Sequence, residues 1–371
     1  MKKMQMRTEI ISGVGSLSFL SKYEDKNIMI VCDKFLVESR VVAKVLRVLN
    51  QSNNVKIFGD VEPDPPIEVV SKGVDLLQKV KPDVLIAFGG GSAIDTAKGI
   101  KIVANRKKLC NNFLFIAIPT TSGSGSEVTD VTVITELSAK TKHLIQDSCM
   151  LPDVAILDPN LTVSKPPALT AATGLDVLTH AIEAYVATGA NAFSDALAVK
   201  AVQNCIQSLL ICYKQGDNLQ HREAMHEASA LAGVAFTTAG LGLNHSIAHK
   251  LGGFFGMPHG LANAILLSAV IEYNIKEPKI RSKYATLSRR AGLVGPDAND
   301  GSAINFLLDY IKTVSKEMNV PMSLSESGIG RDEFEKEKHN LAEKVLGDVC
   351  MGTAPVPATK EDVLKILESL F

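Results

Sequence analysis

The sequence predicts two domains of different class: an α/β domain built on a parallel sheet over residues 1–164, and an all-α domain over residues 165–371. Two observations carry this. Short continuous apolar runs alternate with amphipathic stretches through the first part of the chain, the pattern of buried parallel strands joined by crossover helices. After Pro166-Pro167 the strand signals stop and long helical periodicities take over. At 371 residues the chain has core enough for two domains.

The strands are read in order from runs bounded by turn residues. They are Asn27 to Cys32, ending at Asp33; Asn54 to Phe58; Asp83 to Phe88; and Phe113 to Ile118. Amphipathic stretches such as Ile67 to Lys79 lie between them. Asp130 to Ile134 and Val154 to Leu157 are expected as a hairpin-like addition to the sheet. The helices follow from Ala168 to Thr188, Ser194 to Cys212, His221 to Ala239, His245 to Phe255 and Gly260 to Glu272, with a last one from Lys360 to Phe371. Asn191 and Ser194 are both suited to cap the second of these, and Thr359 to cap the last.

Composition is that of an ordinary globular chain, 46% hydrophobic and 21% charged, with a net charge of −1. That balance gives no electrostatic case for nucleic acid or an anionic membrane as partner. The basic N-terminus, Met1 to Arg7, has no apolar stretch behind it, so no signal peptide is expected. No apolar run reaches the roughly 18 residues that span a bilayer. The cysteines Cys32, Cys110, Cys149, Cys205, Cys212 and Cys350 are scattered without a C-x-x-C pair. Reduced thiols in a cytoplasmic protein are the expectation, and a cysteine-based zinc site is not.

Two polar loops follow consecutive predicted strands. The first is Gly89-Gly90-Gly91-Ser92-Ala93-Ile94-Asp95, leading into a helix. Glycines there let backbone N–H groups approach phosphate oxygens, and the helix N-terminus adds favourable partial charge. It is not the G-x-G-x-x-G fingerprint, since Ile94 stands at the last glycine position, and a tight β-α turn without ligand is the competing reading. The second loop, Pro119 to Thr129, gathers hydroxyls and glycines where ligands of open α/β sheets bind. Asp33 ends the first strand. A carboxylate there would accept hydrogen bonds from a ribose diol and repel a 2′-phosphate, favouring NAD over NADP; it would serve equally as a turn or N-cap aspartate.

In the helical part, Asp176 and His180 are four apart and share a helix face, with Glu183 one turn further on. His245 and His249 are also four apart, and Gly252-Gly253 and Met257-Pro258 bend the chain before His259. Asp176, His180, His245 and His259 are thus expected to close around one divalent cation, with water or a substrate oxygen in the open position. Five candidates exceed that need. His249 is assigned instead to proton relay, since an imidazole titrates near neutral pH. His221 and His226 are read as solvated, and Phe254, Phe255 and Leu261 as apolar walls.

These residues form an ordered set: Gly89-Gly90-Gly91-Ser92-x-x-Asp95; Pro119 to Glu127; Gly174-Leu175-Asp176-x-x-x-His180; Gly240 to His245 with His249; and Pro258-His259-Gly260-x-x-Asn263. The set, which covers essentially the whole chain, resembles the iron-containing (group III) alcohol dehydrogenases. Within that family it is most similar to the short 1-propanol dehydrogenases of propanediol-degrading bacterial microcompartments. The resemblance implies a Rossmann-like NAD-binding domain over 1–164 and a helical metal-binding domain over 165–371, the dehydroquinate synthase-like architecture, with the site in the cleft between. It implies metal ligation by Asp176, His180, His245 and His259, with Fe2+ as the ion and Zn2+ as an alternative that the donors do not exclude. It implies cofactor contacts at Asp33, Gly90, Gly91, Ser92, Asp95, Thr120, Thr121, Ser124, Val133 and Lys142. Asp64 is a further expected cofactor contact, standing where relatives often have Asn, and Ser124 stands where Thr is more usual.

The expected reaction is reversible oxidation of a short primary alcohol, in practice reduction of an aldehyde that regenerates NAD. A homodimer or larger homo-oligomer is expected, in the cytoplasm and in contact with microcompartment proteins. Competing readings are a polyol dehydrogenase acting on glycerol or 1,2-propanediol, a lyase of the dehydroquinate synthase type, and an inactive metal-binding scaffold. The lyases take an anionic substrate, and only Lys250 stands beside the histidines to meet one.

Overall fold

The structure is a computed structural model that describes residues 6–109, 112–138 and 141–371; most of the basic N-terminus and Cys110 lie outside these. The chain divides between Ser164 and Lys165 into two compact units.

The first unit contains β1 (Glu9–Ser12), β2 (Asn27–Asp33), α1 (Lys34–Glu38), α2 (Ala43–Val48), β3 (Asn54–Val61), α3 (Ile67–Val80), β4 (Val84–Gly89), α4 (Gly91–Lys107), β5 (Leu114–Pro119), β6 (Val131–Glu136), β7 (Thr141–Gln146) and β8 (Val154–Leu157). Six strands form one parallel sheet in the order β1-β8-β5-β4-β2-β3. Alternate residues of each strand feed opposite cores. Met29, Val31, Leu85, Ala87, Phe115 and Ala117 pack with α3 and α4 on one face. Ile28, Ile30, Val84, Ile86, Ile116 and Ile156 pack with Leu36, Val42 and Val45 on the other. Burial on both faces is why these strands read as continuous apolar runs rather than alternating ones.

The expected hairpin-like addition is corrected. Val131–Glu136 does turn back, but onto Thr141–Gln146, in a two-stranded antiparallel sheet of its own. Val154–Leu157 is instead an inner strand of the main sheet, parallel to β5 and β1. All four of its residues are buried, so both of its faces are covered, but a run of four does not announce its partners in the sequence.

The second unit is helical throughout its regular structure: α5 (Pro167–Val186), α6 (Ala192–Lys214), α7 (Leu219–Ala239), α8 (Leu243–Phe255), α9 (His259–Asn274), α10 (Pro278–Ala291), α11 (Asp300–Glu317), α12 (Arg331–Leu346) and α13 (Lys360–Ser369). Asn191 and Ser194 cap α6 together: the Asn191 side chain accepts from the Phe193 and Ser194 N–H groups, and Ser194 Oγ accepts from the Asn191 N–H. Thr359 caps α13 with Asp362 in the same reciprocal way. Helix α9 is apolar nearly all round because it serves two cores. Its Ala264, Leu267 and Ile271 belong to the core in which it meets α5 and α11, while Ile265, Leu266 and Val270 belong to the core in which it meets α8 and α13.

Two further expectations are revised. Helix α6 is long and apolar enough to cross a bilayer by length and composition, with a window mean hydropathy of 1.3; here it lies against α5 and α7 as a core helix. His226 is not solvated but 1% exposed inside α7, whereas His221 meets Ser208 Oγ at 3.1 Å.

Candidate active site

In the helical unit, three elements converge. Helix α5 carries Asp176, His180 and Glu183 on one face, at spacings of four and three. Helix α8 carries His245 and His249, and α9 begins at His259. The approach of α9 to α5 depends on Gly260, where a Cβ would lie only 2.4 Å from the Ala172 carbonyl oxygen. That contact brings His259 to the Asp176 end of α5.

The result is a cluster in which Asp176, His180, His245 and His259 each offer one ligand atom, all within 4.8 Å of one another. Three of the four are buried and His259 is exposed, so the cluster opens to solvent on one side. His245 Nε2 lies 3.9 Å and His259 Nε2 3.6 Å from Asp176 Oδ1. The His180 and His245 rings stack at 4.5 Å between centroids, and Phe236 stacks on the other side of His180 at 4.7 Å. Phe236 is the aromatic ring against the ligand set; Phe254, Phe255 and Leu261 pack against the core of α8, α9, α12 and α13.

One carboxylate and three imidazoles suit a divalent transition metal, and the groups behind them fit that use. His245 Nδ1 is hydrogen-bonded to the Glu183 carboxyl group; with that acid ionised, the ring donates from Nδ1 and keeps the Nε2 lone pair for a cation. Glu183 also accepts from the Asn244 N–H at 2.9 Å and the His245 N–H at 3.3 Å, so it caps α8, whose own N-cap residue is Gly242 without a side chain to do so. Burial raises the Glu183 carboxyl to about 8, against the pull of those backbone donors. Burial, then the neighbouring imidazoles, hold His245 well below its usual value and hence neutral, the form that binds metal. Asn263 Nδ2 donates to Asp176 Oδ1 at 2.7 Å and lies 3.1 Å from both His245 Nε2 and His259 Nε2. Asn244 orients that amide by donating to Asn263 Oδ1 at 2.9 Å.

His249 stands outside the quartet. Its ring lies 5.5 Å from that of His259 and 6.1 Å from that of His245. Its Nδ1 meets Asp348, which also binds Lys250 Nζ at 2.7 Å.

In the first unit, the strand order reverses between β2 and β4, the topological switch point at which open α/β sheets bind ligands. Asp33 closes β2 and Gly89 closes β4 at that point. Gly89 has φ +155°, and a Cβ there would lie 2.7 Å from Ala93 Cβ and 3.6 Å from Asp33 Oδ2. Asp33 Oδ1 caps α1 through the Leu36 N–H at 2.9 Å, so the cap reading of this residue holds for one of its oxygens. Helix α4 starts at Gly91 with no side-chain cap, which leaves its first N–H groups for an anion. The second loop faces the first: Cβ atoms on Gly90 and Gly91 would lie 3.3 Å from Thr121 Oγ1 and 3.0 Å from Ser124 Oγ. Thr120 is tied to it by its N–H on the Gly89 carbonyl at 2.9 Å, and Ser92 lies in the first turn of α4. Asp64 and Lys142 are joined as an exposed ion pair at 2.7 Å.

Two residues expected as cofactor contacts, Asp95 and Val133, are bonded to each other. The Asp95 carboxylate accepts from Ser126 Oγ at 2.7 Å and the Val133 N–H at 3.0 Å. Asp95 and the Val133 amide therefore tie α4 to the second loop and β6. Buried Lys98 completes the tie, donating to Ser126 Oγ, Thr129 Oγ1 and the Val131 carbonyl at 2.7–2.9 Å; burial lowers its ammonium to about 8.

Sequence reasoning assigned no role to Glu183, Asn263, Asn244, Asp348 or Phe236. Glu183 had a signal in its spacing from Asp176 and His180. Asp348, 99 residues from His249, had none.

Comparison with known proteins agrees with both halves. A family model described as iron-containing alcohol dehydrogenase matches residues 7–159, and one described as the Fe-containing alcohol dehydrogenase family, C-terminal, matches residues 170–371. The chain is 43% identical over 371 residues to 1-propanol dehydrogenase PduQ of Citrobacter freundii, covering 100% of both. It is 39% identical over 387 residues to NADPH-dependent butanol dehydrogenase of Clostridium saccharobutylicum, covering 100% of this chain and 98% of that one. A crystal structure of 1,3-propanediol oxidoreductase superposes with a TM-score of 0.93 at 33% identity, covering 100% of each chain.

Proposed function

The chain belongs to the iron-containing alcohol dehydrogenase family and is an oxidoreductase, and from that premise we propose that it interconverts short primary alcohols and their aldehydes with NAD(H), propanal and 1-propanol being the preferred pair. The observation that carries the reading is the convergence of Asp176, His180, His245 and His259 with Glu183 behind His245. The likeness to a 1-propanol dehydrogenase supports the three-carbon substrate.

In this reading the residues of 165–371 hold Fe2+, and those of 1–164 hold the nicotinamide cofactor. Zn2+ would satisfy the same donors. The bound cation supplies Lewis acidity toward a substrate oxygen, and the nicotinamide supplies or accepts the hydride. The protein's own part is to orient and to move a proton. Glu183 keeps the His245 Nε2 lone pair toward the cation, and Asn263 holds Asp176. His249 exchanges the proton of the alcohol. Asp33 selects NAD, because its carboxylate would repel a 2′-phosphate and accept from a ribose diol.

Lys250 bears on the substrate class. Its ammonium is already paired with Asp348, so its charge is compensated, which favours a neutral substrate over the anionic ones of dehydroquinate synthase-type lyases. The proposal extends to a homo-oligomer that works in the direction of aldehyde reduction, within a bacterial microcompartment; co-purification with shells tests the last.

The direct experiment takes metal-free protein, with and without added Fe2+ or Zn2+, and mixes it with NADH and propanal or butanal and, separately, with NAD+ and glycerol or 1,2-propanediol, following NADH absorbance in both. Metal-dependent oxidation of NADH by propanal is expected. Turnover confined to the polyols, or none with any short aldehyde, overturns the assignment.

A further inference from the structure

Asp348 belongs to none of the motifs that identify the metal cluster, yet it is one of the most heavily engaged carboxylates in the helical unit. It sits just after α12 with a side chain 6% exposed. His249 Nδ1 lies 3.1 Å from Oδ2 and 3.3 Å from Oδ1, Lys250 Nζ lies 2.7 Å from Oδ2, and the Cys350 N–H donates to Oδ1 at 3.0 Å. A carboxylate offers only acceptors, so the hydrogen on this contact belongs to His249 Nδ1. In the neutral ring that settles which nitrogen carries the lone pair: Nε2. Burial raises the Asp348 carboxyl, but the hydrogen bonds from His249, Lys250 and the Cys350 N–H, with the charge of a protonated His249, outweigh it and hold the group below the usual carboxylate range. It therefore stays an anion when its neighbours are in place. The ring it holds is 26% exposed, on the side where the cluster opens.

We propose that Asp348 is a positioning residue for the alcohol dehydrogenase reaction, acting through His249: it holds the imidazole in place beside the cluster and keeps the Nδ1–H tautomer, so that Nε2 is the nitrogen that meets the substrate's proton. This rests on the proton-relay reading of His249. Lys250 acts as the counter-ion that keeps the carboxylate from moving toward the ring alone. The arrangement is a carboxylate–imidazole pair in which one partner touches the reacting atoms and the other does not. Asn at 348 would leave a single acceptor oxygen for three donors, and an amide nitrogen that favours the other tautomer.

The test is a double-mutant cycle on the metal-loaded enzyme with Asp348→Asn, His249→Gln and both together, measuring kcat and KM for propanal reduction, bound metal per chain and melting temperature. Asp348→Asn is expected to lower kcat by about tenfold or more, with metal content unchanged, and to add nothing in the His249→Gln background. Equal losses in both backgrounds, or loss of metal with the activity, would make Asp348 structural and overturn the proposal. If His249→Gln lowers kcat but Asp348→Asn does not, only the Asp348 role fails. If His249→Gln leaves kcat unchanged, the relay reading and this proposal fall together. Should Asp348→Asn not fold, Asp348→Glu serves the same cycle: it retains the charge but displaces it by one methylene, and a loss confined to the wild-type His249 background is again the expected result.

Discussion

Glu183 of α5 binds His245 of α8 through both the imidazole Nδ1 and the backbone N–H. One buried acid thus caps a helix and orients a ring of the candidate metal cluster. Glu183→Gln would set an amide N–H against the ring N–H or the backbone donors, and His245 would have to take the other tautomer. Metal affinity is expected to fall about 10- to 100-fold, read from bound metal in a chelator-buffered titration. The lost cap should remove on the order of 1 kcal/mol of stability from the metal-free protein. Unchanged metal affinity would show that the contact with Glu183 does not govern His245.

Gly260 lets α9 lie on α5. With a Cβ 2.4 Å from the Ala172 carbonyl oxygen, Gly260→Ala must push the helices apart. The expected cost is about 1–3 kcal/mol, together with reduced metal content as His259 draws away from Asp176. Gly253→Ala is the control: nothing lies within 4 Å of its Cβ position in α8, and stability should hold or rise slightly. Equal melting temperatures for the two variants would sink the packing argument.

Asp33 stands at the switch point beside Gly89. Asp33→Ala removes the repulsion of a 2′-phosphate, so the preference for NADH over NADPH, measured as the ratio of kcat/KM values, is expected to fall on the order of tenfold. The α1 cap is lost too, which lowers stability slightly without touching that ratio. A wild-type enzyme that already prefers NADPH, as the name of the Clostridium saccharobutylicum relative describes that protein, would show that Asp33 does not decide the cofactor.

Glu127 is 1% exposed, and burial raises its carboxyl from 4.5 to about 7. Between those values the folded chain keeps a proton that the unfolded chain releases. Its contribution to stability therefore declines as pH rises from about 4.5 to 7 and stays low above that. Glu127→Gln removes the penalty. The variant should gain on the order of 1–3 kcal/mol relative to wild type at pH 8 and much less at pH 5, measured by denaturant unfolding at both. A gain independent of pH would assign the effect to packing.

Much of this was legible along the chain because it is local. The four apolar runs of the sheet, the capping pair Asn191 and Ser194, and the i, i+4 pairs Asp176–His180 and His245–His249 are all set by neighbours within a turn or a strand. The errors lay where local pattern underdetermines partners. Asp130 to Ile134 and Val154 to Leu157 look alike as short β-branched runs, yet one pairs with Thr141–Gln146 and the other enters the parallel sheet. His226 looks polar, but its helix buries it.

The sequence by itself determined the fold class of each half, the loops with ligand-binding chemistry and the residue types able to take a metal, since periodicity and donor chemistry are carried by single segments. Only the tertiary structure decided how those residues are used. Glu183 reaches across to α8, Gly260 admits α9 to α5, Asp95 anchors the second loop through Ser126, and Asp348 meets His249 from 99 residues away. The physical reason is that a hydrogen bond or a close approach depends on the packing of whole helices and strands, a property that no segment encodes alone.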